Sequence, residues 1–368
     1  MIRVALIGLG KMGISHLGII RPHPEVELVA VCDTIKYVLD VLGKYTGVKT
    51  YADYRTLLAS EQLDAVVVAT PSRFHAEIVR AALDKNIHVF CEKPFCLDLD
   101  EARELAALAA QKGLVNQVGY HYRFVGALCE ARRLIEAGTI GKIHHIRAEA
   151  YGPVVLRPKG STWRTSKVEG GGCLYDYASH AIDLMNYLVG PPTKVSGSVL
   201  NRIFSADVDD EVYSTFHYGD GMTGQLATNW SDESFRKMSM KVSIWGTQGR
   251  INADRQEVQV YYRGENAEAL GLVPGWNVRY TTELTDEVWF YLRGEEYSAQ
   301  MDYFFQQIKS GRRDAAFSFQ SALQTDTVIN QIIDDASGVR VASNDLAPPP
   351  AAAGEKRGML DRLFGARS

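Results

Sequence analysis

The sequence predicts an α/β protein. A doubly wound parallel sheet comes first, followed by an α+β domain with a large open, mostly antiparallel sheet. Three observations predict this. Short apolar runs alternate with helical patterns through the first 120 residues. A glycine-rich turn, Gly8-Leu9-Gly10-Lys11-Met12-Gly13, directly follows the first of those runs. Beyond about residue 120 the strand-like runs alternate polar and apolar residues and are joined by turns.

In the first part the expected strands are Arg3–Ile7, Glu27–Cys32, Asp64–Ala69, Ile87–Cys91 and Leu114–Gly119. Each is rich in Val, Ile and Ala with little alternation, the pattern of strands buried on both faces of a parallel sheet. The clearest helix runs from Asp98 to Lys112. Asp98 and Glu101 form a capping-box pattern, Leu105 and Leu108 face inward, and Gly113 stops the helix. Strand–helix alternation of this kind builds a doubly wound sheet.

The second part keeps one strong helix, Leu174 to Leu188. Strands are then expected at Val195–Phe204, Val212–Tyr218, Thr223–Asn229, Met238–Trp245 and Val258–Tyr262, with turns at Gly219-Asp220-Gly221 and Gly246-Thr247-Gln248-Gly249. Two helices follow, about Ser298–Ser310 and Gln320–Ala336. Residues 264–296 read as an insertion or long loop. The division is 1–121 for a dinucleotide domain, 122–345 for a substrate domain, and 346–368 for a tail expected to be disordered. Within that tail Met359, Leu360, Leu363 and Phe364 sit at helical spacing, suited either to a frayed end or to docking on a partner.

Composition narrows the function classes. Lys plus Arg total 40 against 44 Asp plus Glu, a net charge of −4, so nucleic acid and anionic membranes are not expected partners. No stretch of about 18 apolar residues suggests a membrane span. Met1-Ile2-Arg3-Val4 runs straight into a strand without the layout of a secretory signal, so a cytoplasmic location is expected. The five cysteines, Cys32, Cys91, Cys96, Cys129 and Cys173, are scattered, fitting reduced thiols, and no metal site is expected.

The glycine turn sits between a strand and a helix, the context in which G-x-G-x-x-G binds a dinucleotide. Gly8 permits the turn, Gly10 lets a pyrophosphate approach, and Gly13 lets helix and strand pack closely. Lys11 and Met12 lie at the helix N-terminus, where free N–H groups meet phosphates. Asp33 ends the second expected strand, twenty residues beyond Gly13. Its carboxylate would accept ribose hydroxyls and repel a 2′-phosphate, which favours NAD over NADP. Thr70 and Pro71 end the Asp64–Ala69 strand at the crevice where ligands lie in such sheets. His75 suits either a cofactor contact or a structural role at a helix end.

Glu92-Lys93-Pro94 ends the Ile87–Cys91 strand and projects Lys93 into the same crevice, where it suits a group that hydrogen-bonds a reacting oxygen. Gly170-Gly171-Gly172 leads into a helix carrying Asp176 and His180, four residues apart, with Asp183 three further on. Two readings stand for Asp176 and His180, a helix-surface pair or a proton-transfer pair in which the carboxylate raises and orients the histidine; in a hydride-transfer site Asp176 could equally orient Lys93 or grip a neighbouring hydroxyl.

Taken together, the glycine fingerprint, Ala69-Thr70-Pro71 with His75, Glu92-Lys93-Pro94, Arg123-Phe124, Trp163-Arg164, and Gly-Gly-Gly followed by Asp176 and His180 resemble the glucose–fructose oxidoreductase/inositol dehydrogenase (Gfo/Idh/MocA) family. The resemblance covers roughly residues 1–340. It implies an N-terminal Rossmann domain that binds NAD, and a second domain that supplies the substrate site and a sheet for homodimers or homotetramers. It implies catalytic roles for Lys93, Asp176 and His180, and places Glu92, Trp163 and Arg164 near the cofactor. The implied reaction is hydride transfer between nicotinamide and a secondary hydroxyl or ketone of a sugar, inositol or nucleotide sugar. Tyr120, His121, Tyr122, Arg157, Lys159 and Tyr175 are compatible pocket residues. Arg157 and Lys159 suit either solvent or an anionic substrate. His121 and Val125 depart from the Asn and Pro common in the family. Three other functions remain open: a glycosidase using NAD for transient oxidation, a non-catalytic NAD-binding regulator, and a structural scaffold using the tail.

Overall fold

Strands that read as unbroken apolar runs need cover on both faces, and the computed structural model supplies it. It describes residues 1–156, 163–265 and 270–338. The first elements are β1 (Ile2–Ile7), α1 (Lys11–Ile20), β2 (Val26–Cys32), α2 (Lys36–Thr46), β3 (Lys49–Tyr51), α3 (Tyr54–Ser60), β4 (Ala65–Val68), α4 (His75–Asp84), β5 (His88–Cys91), α5 (Leu99–Lys112) and β6 (Asn116–Val118). All six strands are parallel, in the order β3-β2-β1-β4-β5-β6, the doubly wound arrangement. Successive side chains point to opposite faces. Val4, Leu6, Val67 and Phe90 meet α1 residues on one side, while Ala5, Ile7, Val66 and Val68 meet Val79 and Leu105 on the other. The Asp98 carboxylate caps α5 by accepting the Asp100 and Glu101 N–H groups at 2.9 Å, and Gly113 ends it at φ +62°.

The second half comprises α6 (Gly126–Glu136), β7 (Ile143–Tyr151), a π-helical turn (Leu174–Ala178) running into α7 (Ser179–Val189), β8 (Lys194–Asn201), β9 (Glu211–His217), β10 (Thr223–Asn229), β11 (Lys241–Gly246), β12 (Gly249–Asp254), β13 (Glu257–Tyr262), β14 (Gly275–Tyr280), α8 (Thr281–Leu284), α9 (Glu295–Ser310) and α10 (Phe319–Gly338). Its eight strands lie in the order β14-β13-β12-β11-β7-β10-β9-β8, antiparallel except for β7 against β10. One face buries Ile146, Val212, Leu226 and Ile244 with Leu184 and Met185 of α7. Among the described residues no helix is long and apolar enough to cross a membrane.

Four strands escape the sequence pattern. β3 has only three residues, too few to show a period. β7 places Ala148 and Ala150 inward, so its apolar alternation is faint. β12 is the return arm of the hairpin whose Gly246–Gly249 turn the sequence does mark. β14 corrects the reading of 264–296 as an insertion or loop: this stretch supplies the edge strand of the large sheet. It goes unread because its residues Trp276, Val278 and Tyr280 stay half-exposed. The tail expected at 346–368 lies outside the described residues.

The last two long helices also reach the parallel sheet, α10 while keeping Val328, Ile329 and Ile332 in the core of the second one. Met301, Phe304 and Phe305 of α9 complete one layer of the parallel sheet's core, and Phe319 of α10 stacks on Phe95 at 4.2 Å in the other. Between the two sheets, the buried Arg123 guanidinium donates to both Asp183 carboxylate oxygens, at 2.8 Å and 2.5 Å, and reaches Ser321 and the Ala316 carbonyl. Removing one partner of such a pair strands a buried charge, at a cost of about 3–5 kcal/mol.

Candidate active site

Because β1, β4 and β5 run parallel, their carboxyl ends open on one crevice, and the candidate residues collect there. Each fingerprint glycine has its own reason. Gly8 has φ +96°, and a Cβ would fall 2.6 Å from the Ala69 backbone. A Cβ on Gly13 would fall 1.9 Å from the Gly8 carbonyl oxygen, so only glycine lets α1 pack on the turn. A Cβ on Gly10 would meet nothing within 4 Å. That open space, at the N-cap of α1 and next to exposed Lys11 and partly buried Met12, fits a pyrophosphate. Asp33 accepts the Leu9 N–H at 2.6 Å and the Ile35 N–H at 2.8 Å, pinning the turn to the end of β2. A carboxylate has about four acceptor sites, so capacity remains for ribose hydroxyls.

His75 is buried, and its nitrogens lie 2.9 Å from the Pro94 carbonyl and 3.0 Å from the Thr70 carbonyl. These contacts clamp Thr70-Pro71 to Lys93-Pro94 and match the structural role. The Thr70 hydroxyl is buried without a protein partner. Glu92 is held by His16, whose Nε2–H donates to it at 2.6 Å, and accepts the Lys93 N–H at 3.2 Å. Burial works to raise the Glu92 carboxyl, but the His16 hydrogen bond and charge and the Lys93 charge hold it below the usual range. Gly119 must be small, since a Cβ there would fall 3.0 Å from that carboxylate.

Lys93 Nζ donates to Asp176 Oδ1 at 2.8 Å and to the Asp176 backbone carbonyl at 3.0 Å. Arg164 donates to the other carboxylate oxygen at 2.7 Å while stacking on Trp163, 4.7 Å from its ring centre. Burial opposes the ionised Asp176, yet the Lys93 and Arg164 charges and hydrogen bonds hold its carboxyl at about 2. The glycine run explains this approach: Gly170 and Gly172 have φ +78° and +110°, and a Cβ on Gly171 would fall 2.3 Å from the Arg164 carbonyl oxygen.

The expected Asp176–His180 pairing is corrected. Asp176 lies in the π-helical turn, where four residues no longer bring side chains into line, and its oxygens go to Lys93 and Arg164. His180 packs edge-on to Tyr120, His121 and Tyr122, with ring centres at 5.9, 4.9 and 5.3 Å. Burial, then the Lys93, His121 and Arg255 charges, push it well below the usual histidine range, opposite to the rise expected from a neighbouring carboxylate. Its Nδ1 is buried without a partner, as is the Tyr120 hydroxyl. Arg157 and Lys159 lie outside the described residues.

Several neighbours carry no local sequence signal. His121 stacks on Tyr297 at 4.4 Å, and Arg255 pairs with Glu296 beside Tyr122. Asp209 caps the turn before α7 by accepting the Leu174 N–H at 2.6 Å, and burial pushes it up to about 6. His16 was findable: it follows Gly13 by three residues on the helix face that packs against the sheet.

Comparison with known proteins agrees with this arrangement. Residues 2–120 match the oxidoreductase family, NAD-binding Rossmann fold (Gfo/Idh/MocA), and residues 128–252 match the Gfo/Idh/MocA C-terminal domain. The chain is 26% identical to scyllo-inositol 2-dehydrogenase (NAD(+)) of Bacillus subtilis over 84% of this chain and 87% of that protein. It is 30% identical to the rhizopine catabolism protein MocA of Rhizobium meliloti over 61% of this chain and 70% of that protein. A solved levoglucosan dehydrogenase in complex with NADH and levoglucosan superposes with a TM-score of 0.80 at 25% identity, covering 91% of this chain and 97% of the other.

The glycine geometry separates two variants. Gly10→Ala places its methyl in open space and should fold normally, yet bind NADH at least about tenfold more weakly, as one lost charge-assisted contact implies. Gly13→Ala should lower the melting temperature itself. Fluorescence titration with NADH and a thermal melt check both, and undiminished affinity in Gly10→Ala contradicts the pyrophosphate assignment.

Proposed function

The chain belongs to the Gfo/Idh/MocA oxidoreductase family and is an NAD-dependent dehydrogenase, and on that premise we propose that it oxidises a secondary hydroxyl of a sugar, inositol or nucleotide sugar, or reduces the matching ketone. The observation that carries this reading is the Lys93–Asp176 pair, with His180 beside it, at the carboxyl end of β5. Bound NAD supplies the hydride acceptor.

The protein's own part is handling the hydroxyl oxygen and its proton. An ammonium has three donors, and Lys93 spends two on Asp176. The third can hydrogen-bond the carbinol oxygen and stabilise the negative charge that grows there. With its donors directed at Asp176 and the carbinol oxygen, Lys93 serves as a hydrogen-bond donor. His180, kept neutral by burial and nearby cations, is the suitable proton acceptor. Asp176 positions Lys93 rather than His180. Asp33 favours NAD over NADP, since a 2′-phosphate would face its carboxylate.

The relatives named above act on an inositol and on levoglucosan, which supports a polyol substrate. Pairing of two or four copies across the outer face of the large sheet belongs to the same proposal, supported by the exposed Tyr261, Trp276, Val278 and Tyr280. A monomeric mass in sedimentation at micromolar concentration contradicts it. A cytoplasmic location is proposed with it, from the sequence alone.

Assayed as NAD reduction over a panel of inositols, aldoses, sugar acids and nucleotide sugars, His180→Ala and Lys93→Ala should bind NADH nearly as wild type and lose about 10²–10⁴-fold in kcat. Unimpaired turnover in either overturns the assignment. The pH profile is a second check. An ordinary histidine base would be half protonated at about pH 6.5. His180 lies well below that, so kcat attributable to it should stay flat from pH 7.5 to 6.5. A halving at 6.5 contradicts a buried, neutral base.

A further inference from the structure

The segment read from sequence as an insertion delivers one arginine, Arg293, to the rim of this site. It is tied down on the dinucleotide helix α1. The Trp289 indole N–H donates to the Ile19 carbonyl at 3.0 Å, and Leu292 covers Gly18, where a Cβ would fall 3.1 Å away. The Ser298 hydroxyl then closes back on the Phe290 carbonyl. Between these anchors Arg293 is forced to φ +70° and Gly294 to φ +138°. A long, non-glycine side chain is sparsely populated in that region and is kept there only when its surroundings over-determine it.

The result of that turn is a cation at the pocket rim. Arg293 sits over the Tyr297 ring, 5.3 Å from its centre, and Tyr297 stacks on His121, which meets His180. Among the described residues Arg293 has no carboxylate partner. Arg255 approaches from the other side over Tyr122, 5.9 Å from its ring, and is paired with Glu296. Burial, then the charges of Arg255, Lys93 and Arg293, hold His121 well below its usual range, so both guanidinium groups are felt at His121. The nearby carboxylates are engaged: Asp176 is shared by Lys93 and Arg164, Glu92 is held by His16, and Glu296 is held by Arg255.

We propose that Arg293, with Arg255 across the pocket, forms a subsite for an oxyanion substituent, a carboxylate or phosphate, on the sugar whose carbinol faces Lys93 and His180. The guanidinium fork matches either group with two parallel hydrogen bonds, and anchoring on α1 fixes where it points. The inference rests on the dehydrogenase reading and adds a substrate class to it: sugar acids or phosphorylated sugars over neutral polyols.

Calorimetric titration of the NADH-loaded protein tests this, with D-glucuronate, α-D-glucose 1-phosphate and methyl α-D-glucoside as the three probes. Wild type should bind at least one anion about tenfold or more tightly than the neutral glycoside. The two anions separate a carboxylate site from a phosphate site. In Arg293→Gln that preference should collapse toward one, and in Arg293→Lys, which keeps the charge, part of it should return. Equal affinity for anion and neutral sugar in wild type, no binding of either anion, or a preference that survives Arg293→Gln overturns the subsite. NAD reduction by neutral polyols without any anion preference would remove the subsite and leave the dehydrogenase reading intact. Failure to bind NADH would remove the reading itself.

Discussion

The ion pair between Lys93 and Asp176 is the contact on which the rest of the site depends. Lys93 ends a strand of the parallel sheet, and Asp176 opens the helix that backs the antiparallel one. Two buried charges brought together from separate sheets are stable only if each finds its partner and its remaining hydrogen bonds. Here both conditions are met: Asp176 also takes Arg164, and Lys93 also takes a backbone carbonyl. Burial works to raise the Asp176 carboxyl, and the Lys93 and Arg164 charges and hydrogen bonds outweigh it, holding the carboxyl at about 2.

Much of the surrounding structure serves that contact. The three glycines before Asp176 let the Trp163–Arg164 turn lie against it. The His75 ring ties the Lys93-Pro94 segment to the end of β4, and the His16–Glu92 pair ties the same segment to α1. The glycine turn and Lys93 are thus parts of one packed unit. The Arg123–Asp183 pair performs the same kind of joining deeper in the molecule, one helical turn beyond His180.

Some of this was legible in the sequence because it depends on local rules. The glycine turn needs a strand before it and a helix after it, and both are visible. Lys93 is visible because a lysine at the end of a buried strand has nowhere to go but the crevice. The choice between Lys93 and His180 as the partner of Asp176 was not legible. Helical spacing paired it with His180, whereas a π-helical turn, which no local pattern announces, directs it to Lys93 and Arg164. Arg255, Arg293 and Tyr297 were invisible for a different reason: they reach the site from far along the chain, and no local pattern says which remote residues the fold brings together. Strand β7 hid because alanine is a weak marker of an inward face, and β14 because an edge strand keeps its apolar residues half-exposed.

The central claim is that Asp176 acts through Lys93 and not through His180. Double-mutant cycles on kcat/KM test it most directly, using Asp176→Asn with Lys93→Met in one cycle and Asp176→Asn with His180→Asn in the other. Residues in direct contact typically show interaction energies of about 0.5–3 kcal/mol, and independent ones add within about 0.3–0.5 kcal/mol. The account predicts strong coupling for Asp176 with Lys93 and near-additivity for Asp176 with His180. The reverse pattern would contradict it.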